Sequence, residues 1–403
     1  MNMPSILKNK KKLVVLGGGL YHVHTYEVLK EGGYYTICVD GNENAPAKNL
    51  ADEFYAINFS DKEAVHDLVK KIKPDGIMPL NEWGVKTAAF IHDQTGLPGL
   101  SSNDALACSD KGFMRDRWKK DNLSIPDYRV IENYFELEKA SDKIGYPNIV
   151  KPSESGGSGR GISIVNTKND LEWAYNFALP FAKNKRIIIE EFIEGTELTI
   201  ETFSIDGKVY TLAISDKEKP DLRTRVATSL NYPAKLPEGV EDKVKSLVSR
   251  AVLSLGIING MAHSEMILTK DNDLFLIETG ARGGGGHIFH TIIEKVSGVK
   301  APLIYAEYLT GGKPEINEIT RNGSVYRFFN PPHGILKEVK NIDIAGKTQG
   351  VIDIGIVKMS GDEVGNLENS LHRAGHVITI GKDREEAIKV ADIVENIVEF
   401  IIE

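Results

Sequence analysis

The stretch from Asn148 to Ile164, NIVKPSESGGSGRGISI, restricts this chain more than any other. Ile149 and Val150 lead into Lys151. A loop of small residues follows (Ser155, Gly156, Gly157, Ser158, Gly159 and Gly161), and Ile162 to Val165 is a second apolar run. The pattern reads as strand, glycine-rich loop, strand. Glycine has no Cβ to keep an anion from backbone N–H groups. A lysine at the mouth of such a loop supplies a point charge for phosphate. The phosphate loop G-x-x-x-x-G-K-[ST] does not fit, because Lys151 precedes the glycines and a strand should follow them. The stretch is therefore expected to be a phosphate-cradling flap of another kind; a plain glycine-rich hairpin is the alternative.

Composition narrows the setting. The 403 residues are enough for two to four domains, and the formal charge of −8 argues against a nucleic-acid partner. No apolar run reaches the roughly 18 residues of a membrane span. The basic start, MNMPSILKNKKK, runs into a strand pattern and does not read as a signal peptide. Cys38 and Cys108 make neither a disulfide framework nor a metal set, so a reduced, cytoplasmic protein is expected.

Residues 13–40 read β-α-β, with LVVL as a buried strand, Gly17-Gly18-Gly19 as the turn and Asp40 closing the second strand. This resembles a dinucleotide fingerprint, but the third glycine is missing, and a doubly wound domain with a tight turn is preferred. A helix over 61–73, a strand at GIMPL, a helix over 85–95 and a short strand near 96–100 continue the alternation, which argues for a parallel sheet. Glu82 lies just past a strand end and is a candidate substrate contact. One helix is expected over 104–123, carrying Lys111. Pro126 opens a small lobe, followed by a strand at Tyr128 to Ile131, a helix near 136–144, the flap and a helix over 171–182. The segment 187–201, IIIEEFIEGTELTIE, reads as two strands around a polar break that can offer backbone groups to a flat ligand such as adenine. Glu197 follows it, placed to accept from ribose hydroxyls. Arg223 and Arg225, in a loop between paired strands, could bind a substrate carboxylate.

Residues 260–290 read as a hairpin turning at Asp271-Asn272-Asp273, with Glu265 and Glu278 facing each other across it. Opposed carboxylates in apolar strands are unfavourable without a cation, and oxygen-only ligands suggest Mg²⁺ shared with phosphates. Arg282 follows, then Gly283 to Gly286, a run suited to close backbone approach in which Gly284 and Gly285 are substrate candidates. His263 faces the same side as Glu265. From Gly323 onward strands are expected at 325–329, 334–339, 351–359 and 376–381, then a helix over 384–402. Nothing catalytic stands out there.

Taken together these residues resemble the ATP-grasp superfamily of carboxylate–amine ligases, over nearly the whole chain. The order and spacing of five motifs carry the likeness. DKGFMRDRW, NGMAHSE and ETGARGGGGHI are most like the L-amino acid ligases; biotin carboxylase and purine-pathway members such as phosphoribosylglycinamide synthetase share the architecture. The resemblance implies an α/β and α+β fold: a Rossmann-like domain over 1–110, an ATP-grasp domain over 111–312 with a lid lobe near 126–192, and a C-terminal α+β subdomain over 313–403. It also implies ATP and Mg²⁺ (or Mn²⁺) as cofactors, a small carboxylate and an amine as substrates, an acyl phosphate between them, and a homodimer. Lys111 and Lys151 would contact ATP phosphates under the 155–161 flap, with His263 beside them. Glu190, Phe192 and Ile193 would form the adenine hinge and Glu197 would hold ribose. Glu265 and Glu278 would bind the metal, and Arg282 would stabilise the transferred phosphoryl group. Gly280 stands where the family usually has asparagine, which puts a second metal position in doubt. A carboxylase-type or purine ligase, a nucleotide-binding regulator without turnover and a nicotinamide dehydrogenase are the rival readings.

Overall fold

The computed structural model describes residues 10–156, 159–219 and 226–403. Its first layer is a parallel sheet in the order Glu53–Ala56, Tyr35–Asp40, Lys12–Leu16, Gly76–Pro79. The continuous apolar run Leu13 to Leu16 is completely buried, as a strand covered on both faces requires. Gly17 has φ +119°, and a Cβ there would stand 2.7 Å from the His22 ring. The Gly18 N–H donates to Asp40 Oδ2 at 2.7 Å. The glycine turn is thus packed and capped by the chain itself.

The edge strand Glu53–Ala56 has no counterpart in the sequence reading, and no strand forms at 96–100. There Gly96, at φ +73°, ends the helix Glu82–Thr95 in the left-handed conformation, and the chain runs on irregularly. The expected single helix over 104–123 is two, Ser102–Ser109 and Lys111–Lys120, broken at Asp110. Asp110 Oδ1 accepts from the Gly112 and Phe113 N–H groups at 2.8 and 3.2 Å, and from Ser153 Oγ at 2.7 Å. Its Oδ2 accepts from Asn184 Nδ2 at 2.7 Å. This buried carboxylate therefore caps the second helix and fastens it to the lid lobe. Asp110→Ala is expected to lower stability by about 1–3 kcal/mol, through the lost cap and the stranded donors. Denaturant unfolding checks this; a loss under about 0.5 kcal/mol contradicts it.

The lid sheet is antiparallel, in the order Tyr128–Ile131, Ile187–Glu191, Asn148–Pro152, Ser163–Val165. Helices Tyr134–Ile144 and Leu171–Ala178 pack on it around Leu137, Val150, Leu171 and Ile189.

The largest sheet has eight strands: Leu274–Gly280, Gly260–Leu268, Thr196–Ile205, Lys208–Glu218, Ser229–Tyr232, Gly323–Phe329, Gly375–Gly381 and Val351–Ile356, in that order. The pairing of Ser229–Tyr232 with Gly323–Phe329 hydrogen-bonds the last part of the chain into the same sheet. Along Gly260–Leu268, residues 262, 264, 266 and 268 are buried and pack toward helix Val240–Ser254, while 263, 265 and 267 face the other way. The final helix stops at Ile397, short of the expected 402. Glu399–Ile402 is instead a strand, paired with Gly334–Lys340 in a three-stranded sheet. Its sequence, EFII, is aromatic and β-branched and finds an open strand edge, which outweighs continuation of the helix. No helix among the described residues is long and apolar enough to cross a membrane.

Candidate active site

A cleft of about 680 Å³ lies between the lid sheet, the large sheet and the carboxyl ends of the parallel strands. Lys111, Lys151, Glu265, Glu278 and Arg282, far apart in sequence, all line it.

Lys151 leaves the second strand of the lid sheet and Lys111 opens the helix Lys111–Lys120; each is 4% exposed. Lys151 Nζ lies 2.5 Å from Glu190 Oε2, and Arg115 Nε 2.7 Å from Glu190 Oε1. Glu190 is thus the counter-ion of two buried cations. Burial opposes its charge, yet Arg115 and Lys151 together hold its carboxyl below the usual range. Burial, only partly offset by Glu190, lowers the pKa of Lys151. Lys111 Nζ donates to Glu278 Oε1 at 3.1 Å, and this carboxylate outweighs burial to raise the ammonium's pKa.

The register of Gly260–Leu268 against Leu274–Gly280 pairs Glu265 with Glu278. Lys217, from Lys208–Glu218 two strands along the sheet, bridges Glu265 and Glu197; its distance to Glu197 Oε1 is 2.6 Å. Lys219 also contacts Glu197. His263 faces Glu201 across the strands and donates to it, with Nε2 3.8 Å from Glu265. Burial disfavours the imidazolium, but Glu201 and Glu265 raise His263 to about 9, so it is a cation at neutral pH. The two glutamates Glu265 and Glu278 present oxygen donors only, each already beside a lysine. That donor set fits a hard divalent cation shared with phosphate oxygens.

Arg282 Nε donates to Glu82 Oε2 at 3.2 Å and Nη1 to the Gly283 carbonyl at 2.9 Å. Glu82, the first residue of a helix capped by Asn81, therefore meets Arg282 at the cleft. Gly285 and Gly286 line the cleft, whereas Gly284 does not: its N–H donates to Glu201 Oε2 at 3.0 Å, and a Cβ there would clash with Glu201 at 2.6 Å. Gly284 is thus needed for packing on Glu201, not for facing a ligand.

In the flap, Ser155, Gly156 and Gly159 line the cleft; Gly161, at φ +70°, is buried against Phe181 and Pro152. Gly157 and Ser158, like Arg223 and Arg225, lie outside the described residues. The flap is tied down by Glu154, 2.6 Å from Lys86, and by Lys183 over the Trp83 ring, which also lies against Gly156. On the lid side Ile149, Ile164, Phe192 and Ile193 supply apolar side chains to the cleft lining, joined by Ile277 of the large sheet. Glu190 contributes its carboxylate to the ion cluster described above.

The sequence reading missed several residues. Arg115 follows Lys111 by one helical turn, and the spacing of four, both residues being buried, was a signal for a shared face. Glu201 shares strand parity with Glu197, as Lys219 does with Lys217. At the opposite end of the cleft stand His22, His290, Tyr326 and Arg373. Burial pushes His22 down to about 4 and His290 well below its ordinary value, so both are neutral at pH 7. Arg373 stacks on Phe328 at 3.3 Å and donates from Nη2 to the Ala227 carbonyl at 2.8 Å; its Nε is buried with no hydrogen-bond partner among the described residues. Arg373 and Tyr326 come from the region where nothing catalytic stood out.

Residues 118–288 match the family described as D-ala D-ala ligase C-terminus, and residues 327–403 the family described as L-amino acid ligase C-terminal domain 2. Formate-dependent phosphoribosylglycinamide formyltransferase of Prochlorococcus marinus (strain NATL2A) is 30% identical over 272 residues, 66% of this chain and 68% of that protein. The protein of the same description from Corynebacterium efficiens is 32% identical over 200 residues, 48% of this chain and 50% of its own length. The match to this and to a similar relative thus spans only about half of each relative's length. Among solved structures, phosphoribosylglycinamide synthetase from Anaerococcus prevotii superimposes with a TM-score of 0.75 at 26% identity, over 98% of this chain and 100% of that one. L-amino acid ligase from Bacillus licheniformis does so with a TM-score of 0.84 at 24% identity, over the same shares. With the mixed α/β architecture and the convergence of these lysines, glutamates and arginine on one cleft, these likenesses show that the chain belongs to the ATP-grasp superfamily of carboxylate–amine ligases.

Proposed function

We propose that the protein is an ATP- and Mg²⁺-dependent ligase that activates a small carboxylate, an amino acid, as an acyl phosphate and passes the acyl group to an amine. The carrying observation is the gathering of Lys111, Lys151, Glu265, Glu278 and Arg282 in one cleft, whose lining also includes apolar side chains around Phe192 and the guanidinium of Arg373. The apolar lining beside Phe192 and Ile193 suits adenine, and Glu197 the ribose. Lys111 and Lys151 would meet the phosphates under the flap, with protonated His263 close by. Glu265 and Glu278 would hold Mg²⁺, which when bound neutralises phosphate charge.

The substrate carboxylate forms a bond to the γ-phosphorus as the bond to the β,γ-bridging oxygen breaks, giving acyl phosphate and ADP. The amine then attacks the acyl carbon, phosphate leaves with the electron pair of the C–O bond, and the amine loses a proton. The protein contributes chiefly positioning and charge complementarity. Arg282 would meet the charge on the transferred group, and the lobe carrying the flap would exclude water.

The acid is read as an amino acid from the Arg373 end. A single guanidinium, neutral His22 and His290, and the apolar side chains of Leu80, Leu230, Ile288 and Phe328 stand there among the described residues. One carboxylate with an apolar side chain matches one arginine in an apolar pocket; a phosphate dianion calls for more positive charge. The match of residues 327–403 to the L-amino acid ligase description supports the same choice. The second reading is formyl transfer to a phosphoribosyl amine, favoured by the descriptions of the sequence relatives.

The test is ADP release with Mg²⁺-ATP against a panel of amino acids and formate, with hydroxylamine to trap acyl phosphate as hydroxamate. An amino-acid hydroxamate supports the proposal. Formyl hydroxamate alone, or ADP release only with formate and a phosphoribosyl amine, replaces it with the second reading. ATP binding without turnover for any acid overturns the ligase reading altogether. In Glu278→Gln the Mg²⁺ concentration for half-maximal ADP release is expected to rise about 10–100-fold; an unchanged requirement removes Glu278 from the metal set.

A further inference from the structure

Outside the cleft, three side chains from separate parts of the chain converge on one point. His287 precedes the π-helical turn Ile288–Ile292; Asp353 lies on the edge strand Val351–Ile356, and His376 on its neighbour Gly375–Gly381. Both imidazoles direct Nε2 at the same carboxylate oxygen. His376 Nε2 lies 2.6 Å and His287 Nε2 3.4 Å from Asp353 Oδ2. The two rings are 4.7 Å apart at 41°, and the edge or face of Tyr326 walls both, at 5.5 Å from His376 and 5.9 Å from His287. One ligand atom from each residue can be chosen so that all three lie within 4.8 Å of one another.

We propose that His287, Asp353 and His376 bind one divalent transition-metal ion of the Zn²⁺ class, at a site separate from the Glu265–Glu278 pair. A simple ion pair needs one histidine per carboxylate; here two are brought to a single oxygen by three independent backbone segments. Two imidazoles and a carboxylate suit Zn²⁺, Co²⁺ or Fe²⁺ and not Mg²⁺, which prefers oxygen alone. The geometry is close to what a metal demands. Two ligands each about 2.0–2.1 Å from a tetrahedral ion stand roughly 3.3 Å apart. The His287–Asp353 separation of 3.4 Å already has that value, and the His376–Asp353 contact of 2.6 Å needs to open by less than an ångström. His376 is 7% exposed and Asp353 38%, so the site has a buried base and an open side for ion entry and a water ligand.

Such an ion would clasp two parts of the molecule. His287 directly follows the glycine run behind Arg282, of which Gly285 and Gly286 line the cleft, and the other two ligands belong to the end of the large sheet. Metal occupancy would thus fix the cleft's glycine wall to that sheet without entering the cleft.

The experiment titrates Co²⁺ into chelator-treated full-length protein in excess Mg²⁺, which fills the oxygen-donor pair. The expected result is a visible absorption band that saturates at one equivalent and is bleached by one equivalent of Zn²⁺. Zn²⁺ should also raise the melting temperature. In His287→Gln and Asp353→Asn, each close in size to the residue replaced, Co²⁺ affinity should fall by at least about tenfold. In Glu278→Gln the band should be unchanged. Absence of both the band and the Zn²⁺-dependent melting shift in the unaltered protein overturns the proposal. So does a band that persists at full affinity in both ligand variants.

Discussion

Glu190→Gln is expected to lower the stability of the protein by about 3–5 kcal/mol, the usual result of removing one partner from a buried ion cluster. Glu190 is 2% exposed, Arg115 completely buried and Lys151 4% exposed. Glutamine has the size of glutamate but leaves two cations facing each other without a counter-charge. Lys151, whose pKa burial already lowers, can give up its proton to relieve the strain; Arg115 cannot. In Glu190→Gln/Lys151→Met one surplus cation is removed, so part of the loss should return. The acid limb of the stability profile gives a second readout. The folded carboxyl is held below its unfolded value, so its contribution is complete above about pH 4.3 and is lost as pH falls through the lower folded value. The difference in unfolding free energy between the unaltered protein and Glu190→Gln should therefore shrink in acid, and a further narrowing as pH rises above neutral would report Lys151 losing its proton in the variant. Guanidinium unfolding at a series of pH values measures both. A loss under about 1 kcal/mol at neutral pH would show that the cluster is solvated and that Glu190 is not its counter-ion.

The same cluster shows what the sequence carried and what it withheld. Local signals were strong where chemistry and backbone pattern coincide. The glycine run after Lys151 could only be a loop between strands, and the turn at Asn272, with φ +65°, set a register that pairs Glu265 with Glu278. The doubly wound start followed from the continuous apolar strand Leu13 to Leu16. Partners across the fold were not legible in that way. Glu190, beside Phe192, reads as a ligand contact because its neighbours in sequence match the hinge that the family resemblance implies; its buried cations come from residues 115 and 151, both far earlier in the chain. Arg373 carries no periodic or spacing signal, and it is long-range contacts such as the pairing of Ser229–Tyr232 with Gly323–Phe329 that bring its region to the cleft. Helix ends failed for a related reason. Asp110 and Ile397 end helices because a lid-lobe contact and an open strand edge compete with the next helical turn, and neither competitor is nearby in sequence.

Arg282→Lys is expected to lower kcat for ADP formation by about 10²–10³-fold while ATP affinity changes only a few-fold. Nε is engaged by Glu82 at 3.2 Å and Nη1 by the Gly283 carbonyl at 2.9 Å. Among the described residues Nη2 has no acceptor, so a rigid plane is fixed by two edges with the third nitrogen left for a ligand. Lysine keeps the charge but not the plane: a single rotatable ammonium drawn to Glu82 would leave the transferring group without its donor. The loss should fall on kcat because Arg282 is proposed to meet charge that develops during transfer, whereas the lysines and the apolar lining around Phe192 are proposed to bind the nucleotide in the ground state. Glu82 holds Arg282 through Nε, so Glu82→Gln, which keeps an oxygen acceptor for that nitrogen, should cost about tenfold or less. Single-turnover hydroxamate formation with saturating ATP separates these effects, with nucleotide affinity measured independently by a fluorescent analogue. If Arg282→Lys instead weakens nucleotide binding and leaves the single-turnover rate within tenfold, Arg282 belongs to the ground-state phosphate site. The donor for the transferred group must then be sought among cations such as Lys111, Lys151 and His263, which line the same cleft.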